Sequence, residues 1–236
     1  MATRPATETW VVERYIALGD SFTAGADPDA PSLPGLGAPP GDNGDGSPAL
    51  WPDRLAEHLR QVNPGLDYRN LAVAGARSQE VAAGQLDAAV ALEADLVTVI
   101  CGANDVLLSV RPDIDAYAAN FSRMLRRLGA ELPDAAVVTA TTPDFSEFLP
   151  LRPRSRERVS VGMQELNEAT RAVARRHEVL CLEWAGHPGA GDRSNYADDG
   201  IHASAVGHRR AAAALAQALA DHFAIKIPPL PAEDLA

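Results

Sequence analysis

Short strand-like runs recur along this chain, and most are followed by a longer stretch whose apolar residues fall at helical spacing. The runs are Trp10–Leu18, Asp67–Val73, Asp95–Cys101, Ala135–Ala140 and Val179–Glu183. Leu96-Val97-Thr98-Val99-Ile100 is apolar almost without a break, as a strand covered on both faces requires. The helical stretches are 50–59, 79–93, 113–132, 156–177 and 206–223. In the first of them, Leu55 and Leu59 share a face and Pro52 suits the first turn. In the second, Ser78 is read as the cap, with Glu80 too close to complete a capping box. Strands joined by helices make βαβ units. The expected fold is therefore α/β, with a mostly parallel sheet of about five strands and helices on both faces.

Composition limits what such a fold would serve. The 236 residues carry a net charge of −11, which disfavours nucleic acid and anionic membrane surfaces. No apolar run approaches the ~20 residues of a membrane span. The N-terminal residues lack the apolar core of a secretory signal, so a cytoplasmic protein is expected. Length and the absence of a linker predict one domain over 1–236, with its core at about 10–223 and a tail at 224–236. Residues 26–49, dominated by Pro, Gly, Asp, Ala and Ser, read as a long loop of a kind that is usually functional or disordered. Cys101 and Cys181 lie in or beside strand-like runs, form no CxxC pair, and are expected to be free thiols.

Ligands of a parallel sheet bind outside the carboxyl ends of its strands, and polar clusters gather there. Gly19-Asp20-Ser21 follows the first strand, Ala74-Gly75-Ala76 the second, and Gly102-Ala103-Asn104-Asp105 the third. Asp199-Gly200-Ile201-His202 precedes the last helix. Ser21 stands on a strand-to-helix turn, where a preceding glycine allows a sharp bend. A serine hydroxyl needs a base within hydrogen-bond reach. Asp199 and His202 are three residues apart, so one turn can set a carboxylate beside an imidazole. Asn104 can aim an amide N–H, and Gly75 a backbone N–H, at a developing oxyanion.

These four stretches, in this order, resemble the nucleophile, glycine, asparagine and Asp/His blocks of the SGNH or GDSL-type hydrolases. The resemblance runs from residue 15 to about 210. One departure is Phe22, where the literal motif has leucine. The family implies a three-layer αβα sandwich of flavodoxin-like topology. It also implies hydrolysis of esters, thioesters or O-acyl sugars through an acyl-enzyme. On the same grounds Ser21 is expected as nucleophile, His202 as base and Asp199 as its partner. Ser21, Gly75 and Asn104 are expected to form the oxyanion hole. The partner would be a small-molecule acyl ester, with no cofactor and no metal.

Each block also has a plainer reading. Gly-Asp-Ser can be an ordinary capped helix start, Gly75 a turn glycine, and Asn104 a loop anchor. Asp198 competes with Asp199, and His208 with His202. Asp20 and Asp105 are expected to hold neighbouring loops. A flavodoxin-like module binding phosphate or flavin at Gly19–Thr23 without catalysis is the competing function. Phe145, Phe148, Leu149 and Leu151, after the fourth strand, are candidates for an acyl pocket. Asp27, Asp29, Asp42 and Asp45 in the 26–49 loop suggest neutral or cationic substrates if that loop drapes over the site.

Overall fold

The computed structural model describes residues 9–25 and 50–228. The readings made for the 26–49 loop and its four aspartates, for the first eight residues and for the tail beyond Pro228 lie outside them. In chain order the elements are β1 Arg14–Gly19, α1 Ser21–Ala24, α2 Trp51–Arg60, β2 Asp67–Asn70, α3 Ser78–Gly84 and α4 Leu86–Ala91. They continue as β3 Leu96–Ile100, α5 Ala103–Leu107, α6 Ile114–Glu131, β4 Ala136–Ala140, α7 Pro153–Arg176, β5 Leu180–Leu182 and α8 Ala205–Phe223.

The five strands form one parallel sheet in the order β2-β1-β3-β4-β5. Alternation along the central strands divides their side chains between two cores. Ile16, Leu18, Val97, Val99 and Val137 face α3 to α7, where Val81, Phe121, Leu125 and Met163 are buried. Tyr15, Ala17, Leu96, Ile100 and Val138 face α2 and α8, where Trp51, Leu55, Leu215 and Leu219 are buried. Thr98 points into the second core and is satisfied there by the Tyr15 hydroxyl at 3.1 Å. This is the α/β architecture with helices on both faces that the strand–helix alternation implies. Cys101 and Cys181 are both free.

β1 starts at Arg14 rather than Trp10, and three further elements depart from expectation. β2 ends at Asn70 rather than Val73, because the Asn70 side chain accepts the Ala72 N–H (3.1 Å) and curls the chain. This is a local competitor to strand pairing. The helix expected over 79–93 is two helices, broken at Gln85. Its cap is Arg77, not Ser78. Glu80 accepts the Arg77 N–H at 2.7 Å, so the carboxylate half of a capping box is present after all. Finally, α7 begins at Pro153, three residues early, because proline is well placed in a first turn.

The strand order puts the chain reversal between β1 and β3. From β1 the chain steps outward to β2, then crosses to β3 on the other side. The loops leaving β1 and β3 therefore diverge around a crevice at the carboxyl edge, the usual ligand position in such sheets.

Candidate active site

The turn after β1 is held from several sides. Gly19 has φ +154°, and a Cβ there would lie 2.1 Å from the Ile100 carbonyl oxygen. Only a residue without a side chain allows β1 and β3 to approach so closely. Asp20, 3% exposed, accepts the Phe22 N–H at 3.1 Å and also the Gly102 N–H, tying the ends of β1 and β3 together. Burial pushes its carboxyl up to about 6, against the lowering effect of those two N–H groups and of His202. Ser21 opens α1 and is half-buried. The Phe22 carbonyl accepts from Trp51 Nε1 (3.0 Å) and the Thr23 carbonyl from Asn70 Nδ2 (2.8 Å). Phe22 packs on Trp51, Trp184 and His208, so the larger ring is accommodated among aromatics.

Asp199 and His202 belong to a tight loop closed by the Ala197 N–H on the His202 carbonyl (2.8 Å). Asp199 Oδ1 accepts the N–H groups of Ile201 (2.9 Å) and His202 (3.0 Å), while Oδ2 meets His202 Nδ1 at 2.5 Å. Burial raises the Asp199 carboxyl, but the imidazole and the two N–H groups outweigh it and hold it below the ordinary value. An Nδ1–H given to Asp199 leaves Nε2 as the free acceptor. Asp198 is exposed and does not take this place. His208 lies inside α8, 3% exposed, and its Nδ1 accepts the Trp51 N–H at 3.2 Å.

Asn104 stands in α5 and donates one amide N–H to the Ala76 carbonyl at 3.1 Å. That bond joins the third cluster to the second. Asp105 holds the same junction, accepting the Ser78 N–H (2.9 Å) and Ser78 hydroxyl (2.7 Å). This explains why Ser78 does not cap its helix. Gly75, at φ +78°, is exposed at the tip of the loop.

A cavity of about 780 Å³ opens at this edge of the sheet. Ser21, Asn104 and His202 all line it, with Phe22, Leu107, Phe145 and Trp184, and it continues along Ala211, Ala214 and Ala218 of α8. Gly75 is not among its walls. Of the four apolar residues expected to line a pocket, only Phe145 does so. Phe148 packs on Tyr196 (4.7 Å) and beneath Arg193, Leu149 is buried in the core, and Leu151 lies against that core. A 3₁₀ turn at Ser146–Phe148 turns these side chains away. Cys101 also lines the cavity, but burial, then Asp20 and Asp105, keep its thiol well above the ordinary range.

Sequence reasoning passed over Gln85, Trp51, Asn70 and Trp184. Gln85 was visible in principle. It interrupts the apolar face formed by Val81 and Ala89, where a polar side chain must find partners.

Ser21, Asn104 and His202 line one cavity at the edge of a parallel sheet, and comparison with known proteins assigns the chain to a class of carboxylic-ester hydrolases. Residues 17–210 match the model of the GDSL-like Lipase/Acylhydrolase family, and the chain belongs to that family. A comparison with curated protein sequences finds no match. Among solved structures, the chain is similar to the lipase/acylhydrolase from Enterococcus faecalis (TM-score 0.65, 18% identity, 92% of this chain and 100% of that one). It is similar to a protein assigned as a GDSL-like lipase from Parabacteroides merdae (TM-score 0.71, 13% identity, 91% and 98%). A further similar structure is that of the psychrotrophic esterase EstA from Pseudoalteromonas sp., inhibited by monoethylphosphonate (TM-score 0.62, 14% identity, 89% and 97%). Membership favours ester hydrolysis over the competing phosphate- or flavin-binding module. No helix among the described residues is long and apolar enough to cross a membrane.

Proposed function

We propose that the chain cleaves its ester through a Ser21–His202–Asp199 triad and an acyl-enzyme. The observation that carries this reading is the Asp199–His202 pair. A buried carboxylate grips Nδ1 at 2.5 Å, which sets the tautomer and leaves Nε2 as the ring's acceptor, and His202 lines the same cavity as Ser21. His202 takes the Ser21 proton as Oγ attacks the acyl carbonyl. The tetrahedral oxyanion is held by the backbone N–H of Ser21, that of Gly75 and the second amide N–H of Asn104. His202 returns the proton to the departing alcohol, and water then repeats the sequence on the acyl-enzyme. The Cys101 thiol, kept protonated by its burial, is not a competing thiolate nucleophile. The apolar walls, Phe145 among them, suit an acyl chain. Gly75 enters by resemblance to the family and through the Asn104–Ala76 bond next to it.

The test is turnover of a chromogenic short-chain ester. Ser21→Ala is expected to abolish it with the circular dichroism unchanged. Asn104→Ala is expected to lower kcat by about 10²–10³ with a smaller change in KM. Full activity of Ser21→Ala would remove the triad, and an unchanged kcat in Asn104→Ala would remove that residue from the oxyanion hole.

A further inference from the structure

Gln85 is buried, with 3% of its surface exposed, and both ends of its amide go to a single residue. Its Oε1 accepts the Gly19 N–H at 2.9 Å and its Nε2 donates to the Gly19 carbonyl at 2.9 Å, across 66 positions of sequence. The Gly19 carbonyl also accepts the Val73 N–H at 3.1 Å. β2 has already ended at Asn70, so the side-chain amide completes the pairing that a longer edge strand would have given. Two bonds from one planar amide fix the rotation of the last peptide groups of β1. Ser21 is two residues further on, and its N–H and hydroxyl inherit that orientation. A leucine would fill the seam between Val81 and Ala89 without needing partners. A buried amide there must instead recover the cost of its desolvation, and among the described residues its side chain does so on the two peptide groups of Gly19. The helix is also broken at this residue, between Gly84 and Leu86, as the side chain reaches the sheet.

We infer that Gln85 is a positioning residue for ester hydrolysis, holding the Gly19–Asp20–Ser21 turn so that the Ser21 hydroxyl and N–H meet the acyl carbon and its oxyanion together. The inference rests on Ser21 being the nucleophile. Its effect falls on the transition state, because a misplaced nucleophile binds substrate normally and reacts slowly.

The experiment uses the full chain with p-nitrophenyl acetate, and rates are divided by the folded fraction from circular dichroism. Gln85→Leu is expected to lower kcat per folded molecule by about 100-fold while KM stays within about threefold. Gln85→Glu supplies the readout that a merely structural role would not move. A protonated carboxyl can accept from the Gly19 N–H and donate to its carbonyl as the amide does, whereas the ionised form cannot donate. The kcat of Gln85→Glu relative to the native enzyme is therefore expected to fall as pH rises through the titration of that buried carboxyl. A Gln85→Leu enzyme that melts earlier but keeps its kcat per folded molecule would overturn the inference. If Gln85→Leu fails to fold, a pH-independent ratio for Gln85→Glu overturns it instead. Ser21→Ala, run alongside, separates the two ideas. Its inactivity together with undiminished Gln85 variants refutes only the positioning role, while its full activity refutes the reading beneath it.

Discussion

His202 and His208 are six positions apart in the chain and are held in opposite ways. The first shows its ring to the cavity with a carboxylate behind it. The second is sealed under Trp51 and Phe22, where burial, then Arg54 and His202, lower its titration from 6.5 to about 4. The unfolded chain therefore takes up a proton at His208 before the folded one does. Its contribution is neutral above pH 6.5 and turns against folding as pH falls from 6.5 to about 4, reaching at most about 3 kcal/mol. Asp20 tilts the other way. With its carboxyl raised from 3.8 to about 6, the folded state binds the extra proton, so stability falls as pH rises through that window. The two slopes oppose each other between pH 4 and 6. His208→Asn, which keeps an acceptor for the Trp51 N–H, is expected to remove one of them. Urea denaturation should then show the native protein gaining on the variant as pH rises from 4 to 6.5, and a constant difference would count against a neutral buried imidazole. Asp199 and His202 were legible as a pair because three-residue spacing allows contact on one turn. The Trp51–His208 bond was not, since nothing local marks residues 157 positions apart.

The strands were easiest to read where both faces are covered. β3 and β4 are buried at every position and appear in sequence as apolar runs broken only by one threonine each. At the sheet edge the signal fails. β2 has no fully buried residue, and a single Asn70 side chain decides where it stops. The paired helices α3 and α4 were read as one because Gly84 costs a helix only about 1 kcal/mol. The bond from Gln85 to a distant strand is invisible to periodicity. At the end of β1 a glycine is demanded by a neighbouring strand rather than by the turn alone. Gly19→Ala would place a methyl 2.1 Å from the Ile100 carbonyl, so either the strand pair parts or the backbone strains. We expect a loss of at least about 3 kcal/mol in urea denaturation, and a loss under about 0.5 kcal/mol would show that β1 can shift without cost.

Across the whole molecule, function follows from where the chain reverses. A parallel sheet ordered β2-β1-β3-β4-β5 opens its crevice between β1 and β3, and the loops bearing Ser21 and Asn104 leave those two strands. The loop with Asp199 and His202 arrives at the same edge just ahead of α8. This convergence was legible because the order of strands and polar clusters along the chain is nearly sufficient to place them. The cavity's extension along Ala211, Ala214 and Ala218 was not, because an alanine-rich helix gives the same pattern whether it lines a groove or packs tightly against a neighbour. Nor was the inward turn of Leu149, which depends on a single 3₁₀ turn. The convergence is tested most directly by treating the protein with a serine-reactive alkyl phosphonate and mapping the labelled peptide. The account predicts one label per chain, on Ser21, with ester turnover lost in proportion to labelling and His202→Ala labelled far more slowly. A label on another residue, or full turnover after Ser21 is blocked, would contradict it.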